Sequence, residues 1–379
     1  MARAQINPPL LTWARERAGL DIPELARKLH VRDERVRAWE NGEIRPTLKQ
    51  AQNYAHHTFV PLGYLFLREL PEENLPIPDL RTVGDHRRRA FSVNLRDTLR
   101  DVIHRQLWYR QYKLDRDGKP VPEAGCMGGV TETDRIVSGM RQRLDLPAHP
   151  NRGTWDEYLR DLISRIEAVG ILVMRTNIVG TNTHRLLDVD EFRGFAIADT
   201  YAPVIFINTA DYPPARLFTL IHELAHIWLG ESGISDTDPG TALDLEKRCN
   251  AIAAEFLVPR SEFHELWQAH DNWRDNLVPI SSHFHVSEWV IVRRARELDL
   301  ISDGEYRRYV AERLAEHRKR DRDGAVPYPT VQKSRIGQRF AQAIASEALS
   351  GRLLLRDAHQ LTGIKPHKMA EFARKELGL

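Results

Sequence analysis

Residues 215–230 read ARLFTLIHELAHIWLG, and the reading of this stretch decides the fold. Asp211 ahead of Pro213 and Pro214 is a strong helix start and Gly230 a natural stop, so the spacing predicts one helix from Ala215 to Leu229. Leu217, Leu220, Ile221, Leu224, Ala225, Ile227 and Trp228 make that helix apolar, as a helix enclosed by its domain should be. His222 and His226 then stand one turn apart on one face, where both imidazoles reach a single cation. Glu223 lies about 100° round the helix, an offset that suits a general base acting on water at the metal rather than a ligand. With 16 histidines in 379 residues, chance supplies about 0.05 copies of His-Glu-x-x-His.

A catalytic site of this kind takes three protein ligands and keeps one position open. Leu243 to Leu257, closed by Pro259, reads as a helix carrying Glu246 and Glu255, which lie nine residues apart and face opposite ways. Cys249, Ile252, Ala253, Phe256 and Leu257 form its apolar stripe. Glu246 borders that stripe, with Ala253 and Asn250 on its side leaving room for a second helix, whereas Glu255 points away. Glu246 is therefore the third ligand, and Glu255 a helix-surface or ion-pair residue. No oxyanion donor is assigned among Tyr212, His264, His283 and His285, each of which reads more readily as a surface or packing residue.

Before the motif, Ile171 to Arg175, Phe192 to Ala198 and Ala202 to Asn208 read as strands of a small antiparallel sheet. Ala202 to Asn208 is expected at its edge, where a substrate backbone could be held by strand addition. Beyond the metal helices, Val286 to Leu300 is an amphipathic cover for the core. Arg313 to Arg322 is a charged helix end or linker, and Gly337 to Leu379 is a helical pair with amphipathic segments at Leu353 to Leu361 and Lys368 to Leu377.

Toward the N-terminus, Pro9 to Leu67 reads as short helices with Leu11, Ala14, Leu20, Leu25, Ala26, Leu29, Val36 and Trp39 at helical spacings. Asp21 is placed as an N-cap, Gly42 stops a helix, Pro46 and Thr47 open the next, and a last short helix covers Leu62 to Leu67. Prolines from Pro71 to Arg81 mark a linker, Leu95 to Tyr112 forms one long amphipathic helix, Gly118 to Thr133 is a loop, and a helix from Asp134 to Leu144 follows.

The net charge of +2 gives no global case for nucleic acid; Arg81 to Pro120, centred on Arg87-Arg88-Arg89, is a local basic stretch that suits a solvated face or DNA equally. Cys126 and Cys249 fit neither a disulfide framework nor a four-cysteine zinc site. With no apolar run of membrane-span length and no signal-peptide pattern, a cytoplasmic location with no membrane partner is expected.

Glu24-Leu25-Ala26, Val31, Val36 and Trp39-Glu40-Asn41-Gly42-Glu43-Ile44-Arg45-Pro46-Thr47 resemble, in order, the XRE-type helix-turn-helix of phage repressors. His30 stands where that family often has glycine. The resemblance implies operator DNA as a partner, with Arg32, Arg35 and Arg37 as contacts, although Asp33 and Glu34 oppose phosphate there. Phe218 to His226, Glu246-Lys247-Arg248-Cys249-Asn250 and Ala253-Ala254-Glu255-Phe256-Leu257-Val258-Pro259 resemble the ImmA/IrrE metallopeptidases over roughly Trp155 to Ile301.

That second resemblance implies metal binding by His222, His226 and Glu246, with Glu223 as base. Zinc is the expected cofactor and manganese the alternative. The substrate it implies is a regulatory protein such as a helix-turn-helix repressor, with release of stress-response or mobile-element genes.

The expected fold is α+β and mostly α. It comprises a five-helix helix-turn-helix domain (1–70), a helical connector (71–153), a zincin-like peptidase domain with its small sheet (154–302) and a C-terminal helical region (303–379). The competing functional reading is a DNA-binding regulator or antitoxin-like protein, bound to a toxin-like partner, that uses the peptidase fold as a scaffold with little or no turnover.

Overall fold

A computed structural model describes residues 3–71, 91–147, 149–150, 153–235, 244–269, 272–320 and 328–378. The linker beyond Pro71 and the Arg87-Arg88-Arg89 run lie outside the described residues. The fold is α+β and mostly helical, as expected, and divides into two compact units. The first holds the N-terminal helices and the stretch up to Arg100, and the second runs from Asp101.

The first unit contains α1 (Pro8–Arg17), α2 (Ile22–Leu29), α3 (Asp33–Glu40), α4 (Leu48–His57) and a closing turn at Leu62–Phe66, which tightens to 3-10 geometry. Asp21 and Glu24 form a reciprocal capping box at the start of α2, and Thr47 and Gln50 another at the start of α4. His30 takes the left-handed conformation after α2, with φ 55°, in the place where glycine was the family expectation. Leu10, Leu25, Val36, Trp39 and Tyr54 build the core. Beside it Glu40 accepts two N–H bonds from Arg15, at 2.8 and 2.9 Å, and the Tyr54 hydroxyl at 2.6 Å. Val36, Ala38 and Trp39 turn α3 inward, leaving Arg32, Arg35 and Arg37 exposed.

α5 (Val93–Leu114) leads into the second unit, where α6 (Thr133–Arg143) and α7 (Trp155–Ala168) precede the strands. These are β1 (Leu172–Thr176), β2 (Ile178–Val179), β3 (Asn182–Leu186), β4 (Gly194–Ile197) and β5 (Val204–Asn208). After a 3-10 turn at Pro213–Ala215 come α8 (Arg216–Leu229), β6 (Gly233–Ser235), α9 (Asp244–Leu257), α10 (Arg260–Leu266), α11 (Leu277–Phe284), α12 (Glu288–Glu297) and α13 (Asp303–Arg320).

The main sheet has the order β1-β5-β4-β6, with β2 and β3 in a separate hairpin. Two strand expectations are corrected here. The sheet is mixed rather than antiparallel, because β1 and β5 run parallel, Leu172 opposite Val204. β5 is an inner strand and not an edge. Its five residues are all buried, and it inserts between β1 and β4, which precede it in the chain. An unbroken apolar run such as Val204-Ile205-Phe206-Ile207 is the mark of a strand covered on both faces.

Gly230, at φ 80°, ends α8, and the loop before α6 caps the freed carbonyls: the Gly125 and Met127 N–H groups donate to Ile227 and Trp228 oxygens at 2.8 and 2.9 Å. A Cβ on Gly230 would lie 3.0 Å from Gly125 Cα, so the close approach needs glycine. The C-terminal region is α14 (Tyr328–Ile336), α15 (Gln338–Leu349), α16 (Leu355–Thr362) and α17 (Met369–Phe372), the last continued by a π turn to Leu377. This exceeds the expected pair by α15, whose buried face is largely alanine and so gives a weak apolar signal. No helix among the described residues is long and apolar enough to cross a membrane.

Candidate metal centre

α8 is buried along nearly its whole length, so its two histidines and its glutamate project into protein rather than water. Asp211 marks the start of the helical segment without capping α8 by its side chain; its carboxylate instead pairs with Arg193 at 3.0 Å and accepts the Tyr212 N–H. α9 packs across α8, with Cys249, Ile252, Ala253 and Phe256 in the shared core, and this contact brings Glu246 to the two histidines. Nε2 of His222 is 3.1 Å from Glu246 Oε2, Nε2 of His226 is 3.2 Å from Glu246 Oε1, and the two Nε2 atoms are 3.3 Å apart. All three side chains are at most 2% exposed. Donors at the corners of a tetrahedral zinc site, with bonds of about 2.0–2.1 Å, lie about 3.3 Å from one another. The three approaches, those of the histidines being to different oxygens of Glu246, lie near that spacing.

The hydrogen-bond chemistry points the same way. Nη2 of Arg293, on α12, donates to Asn250 Oδ1 at 2.8 Å, and because a guanidinium only donates, the amide atom facing it is the oxygen. Nδ1 of His222 stands 3.1 Å from that same oxygen and must carry a proton to bond it. Burial lowers the His222 pKa, against the opposing pull of Glu246, and favours the neutral ring. The neutral ring's lone pair therefore sits on Nε2, aimed at Glu246 and His226. A lone pair and a carboxylate converging in a dry pocket suit a cation.

Glu223 is fully buried on α8 beside β4. A Cβ on Gly194 would lie 2.7 Å from Glu223 Oε1 and 2.9 Å from the Phe206 carbonyl oxygen, so glycine alone leaves room for the carboxylate. Arg293 stacks over Phe218, 3.8 Å from the ring centroid, and with Asn250 borders a cavity of about 370 Å³ between α9 and α12.

The structure thus brings His222, His226 and Glu246 together and places Glu255 elsewhere, paired with the buried Arg294. Of the four oxyanion candidates, Tyr212 packs on Trp289, His264 is exposed, His283 bonds Glu262, and His285 bonds the Gly153 carbonyl. Sequence reading credited Asn250 only with leaving space, and it missed Gly194 and Arg293. Arg293 sits in a helix rich in charged residues, and only the packing of α12 distinguishes it from its neighbours.

Residues 166–296 match the IrrE N-terminal-like domain of the M78 peptidases, a stretch that encloses every residue of this centre. Residues 11–65 match a helix-turn-helix family, and residues 336–375 match a domain of unknown function. No curated protein and no solved structure matches the chain.

Proposed function

We propose that this chain, an ImmA/IrrE-type metallopeptidase domain behind an XRE-type helix-turn-helix domain, is a cytoplasmic metal-dependent endopeptidase that cleaves a regulatory protein such as a helix-turn-helix repressor. The observation that carries the reading is the buried convergence of His222, His226 and Glu246, with Glu223 on the same helix. The domain limits 1–70, 71–153, 154–302 and 303–379 belong to this reading. A bound divalent ion, zinc first and manganese as the alternative, supplies a Lewis acid that polarises a peptide carbonyl and lowers the pKa of water toward 7.

The chain's own residues do the rest. His222, His226 and Glu246 hold the ion, and Asn250, oriented by Arg293, keeps the His222 lone pair on Nε2. Glu223 takes the proton of the attacking water and passes it to the departing amine. Gly194 leaves Glu223 the space to do so. With β5 paired on both sides and the end strand β1 covered by α14 and Gly337, the substrate backbone meets the sheet at the other end strand, β6.

Glu223→Gln tests the mechanism. The variant should keep its metal and lose cleavage of the natural partner by at least about 100-fold, the span of a general base. Captured by pull-down and identified by mass spectrometry, the uncleaved partner would name the substrate. Undiminished cleavage overturns the mechanism.

A second reading, supported by the exposed arginines at and before α3, is a DNA-binding regulator or antitoxin-like protein whose peptidase fold holds a toxin-like partner. A partner that stays intact with the wild-type chain under every condition favours it over proteolysis.

A further inference from the structure

Among the described residues, one other group has metal-type donors within reach of one another: His149, between α6 and α7, Glu262 on α10 and His283 on α11. Nε2 of His149 lies 3.1 Å and Nε2 of His283 2.6 Å from the same atom, Glu262 Oε1. The ring centroids are 4.6 Å apart. Both rings also stand edge-on to Phe284, which is fully buried and forms an apolar wall behind them. The side chains are 21%, 31% and 37% exposed for His149, Glu262 and His283, so water has access from the open side.

The proton inventory of this cluster is unusual. Nδ1 of His149 faces the Pro150 carbonyl oxygen at 3.4 Å, and a carbonyl only accepts, so a proton on Nδ1 leaves the Nε2 lone pair of a neutral ring turned toward a carboxylate oxygen. Two acceptors at 3.1 Å repel unless a cation lies between them. A proton on the His149 Nε2 would meet the demand too, but it would crowd a second N–H onto the one oxygen that His283, as a neutral ring, already bonds through its own Nε2–H. One divalent ion meets it at once. Two imidazoles and a carboxylate, completed by water, are an ordinary set for such an ion, and the about 3.3 Å donor spacing of a tetrahedral site is close to the 3.1 Å found; His283, at the end of α11, has only to draw back slightly.

We propose that His149, Glu262 and His283 form a second site for a divalent transition metal, separate from the centre on α8 and α9, which ties the segment entering α7 to α10 and α11. His149 lies outside the stretch 166–296 that matches the peptidase family, so the site joins that domain to chain beyond it. The proposal does not depend on catalysis at the α8 centre.

The test is Zn²⁺ binding by the full-length protein after chelator treatment, with bound metal counted by elemental analysis. His149→Ala/His283→Ala and Glu262→Gln should each hold one equivalent fewer than wild type, and His222→Ala/His226→Ala should retain the equivalent that they lose. This comparison stands whether or not the α8 centre binds. Variants that hold as much zinc as wild type while circular dichroism shows them folded would overturn the site.

A second measurement needs no substitution. Zn²⁺ should protect His149 and His283 of the wild-type protein several-fold from diethylpyrocarbonate, read by mass spectrometry. Equal modification with and without zinc would overturn it too.

Discussion

Glu255 accepts from Arg294, a guanidinium only 1% exposed that also pairs with Glu297 at 2.9 Å. Its carboxylate is therefore committed to neutralising a buried charge, which accounts for the second glutamate of α9 lying apart from His222, His226 and Glu246. Removing one partner of a buried pair costs about 3–5 kcal/mol, and Glu297 remains, so Glu255→Ala should lower stability by about 3 kcal/mol in urea unfolding and leave the zinc content of the α8 centre unchanged. Gly194 makes the converse case, a position with no side chain at all. Gly194→Ala would drive a methyl to 2.7 Å from Glu223 Oε1, and the β4 backbone, paired on both sides, has little freedom to yield. We expect cleavage to fall about 100-fold with metal retained, the penalty of displacing a catalytic group by about 1 Å. A Gly194→Ala enzyme of wild-type rate would show that Glu223 does not work from this position.

Among the elements, α7 and α15 meet at a buried carboxyl. Glu167 accepts the Arg339 N–H at 3.1 Å at the start of α15, and the Arg339 guanidinium donates to the Glu167 carbonyl at 2.8 Å. Burial outweighs these contacts and pushes the Glu167 carboxyl up to about 7. A carboxyl at about 7 when folded and 4.5 when unfolded binds its proton more tightly in the folded chain. Its contribution to stability is therefore complete below about pH 4.5 and declines as pH rises through 7, by on the order of 3 kcal/mol. Glu167→Gln, which keeps the acceptor, should flatten the dependence of the unfolding midpoint on pH between 5 and 8. A slope equal to wild type would show that another group carries it.

On the scale of the whole chain, the stretches that match the helix-turn-helix and peptidase families occupy separate compact units. Arg35 and Arg37 on α3, and Arg32 just before it, are exposed and make no contribution to the core, so their replacement by alanine should leave the first unit folded. If the three contact phosphate, log affinity for operator DNA against log salt should lose about 3 from its slope in the triple variant. Zinc content should not change. An unaltered slope would move the DNA contacts elsewhere on the first unit.

The sequence by itself determined whatever depends on neighbours along the chain. A four-residue spacing puts His222 and His226 on one helical face, Asp21 with Glu24 and Thr47 with Gln50 cap their own helices, and the apolar stripe of α9 turns Glu246 inward. It did not determine that β5 lies inside the sheet parallel to β1, because a strand's periodicity carries its burial and not the identity of its partners. Nor did it mark Gly194 beside Glu223, the bond of Asn250 to His222, or Arg293 behind Asn250, all of which come from other elements. Only tertiary packing decided these contacts, since a hydrogen bond or a close approach between residues dozens of positions apart leaves no local pattern to read. The helix 216–229 was legible because its chemistry and its geometry repeat within one turn, while the environment that holds its lone pairs and carboxylates in place comes from β4, α9 and α12.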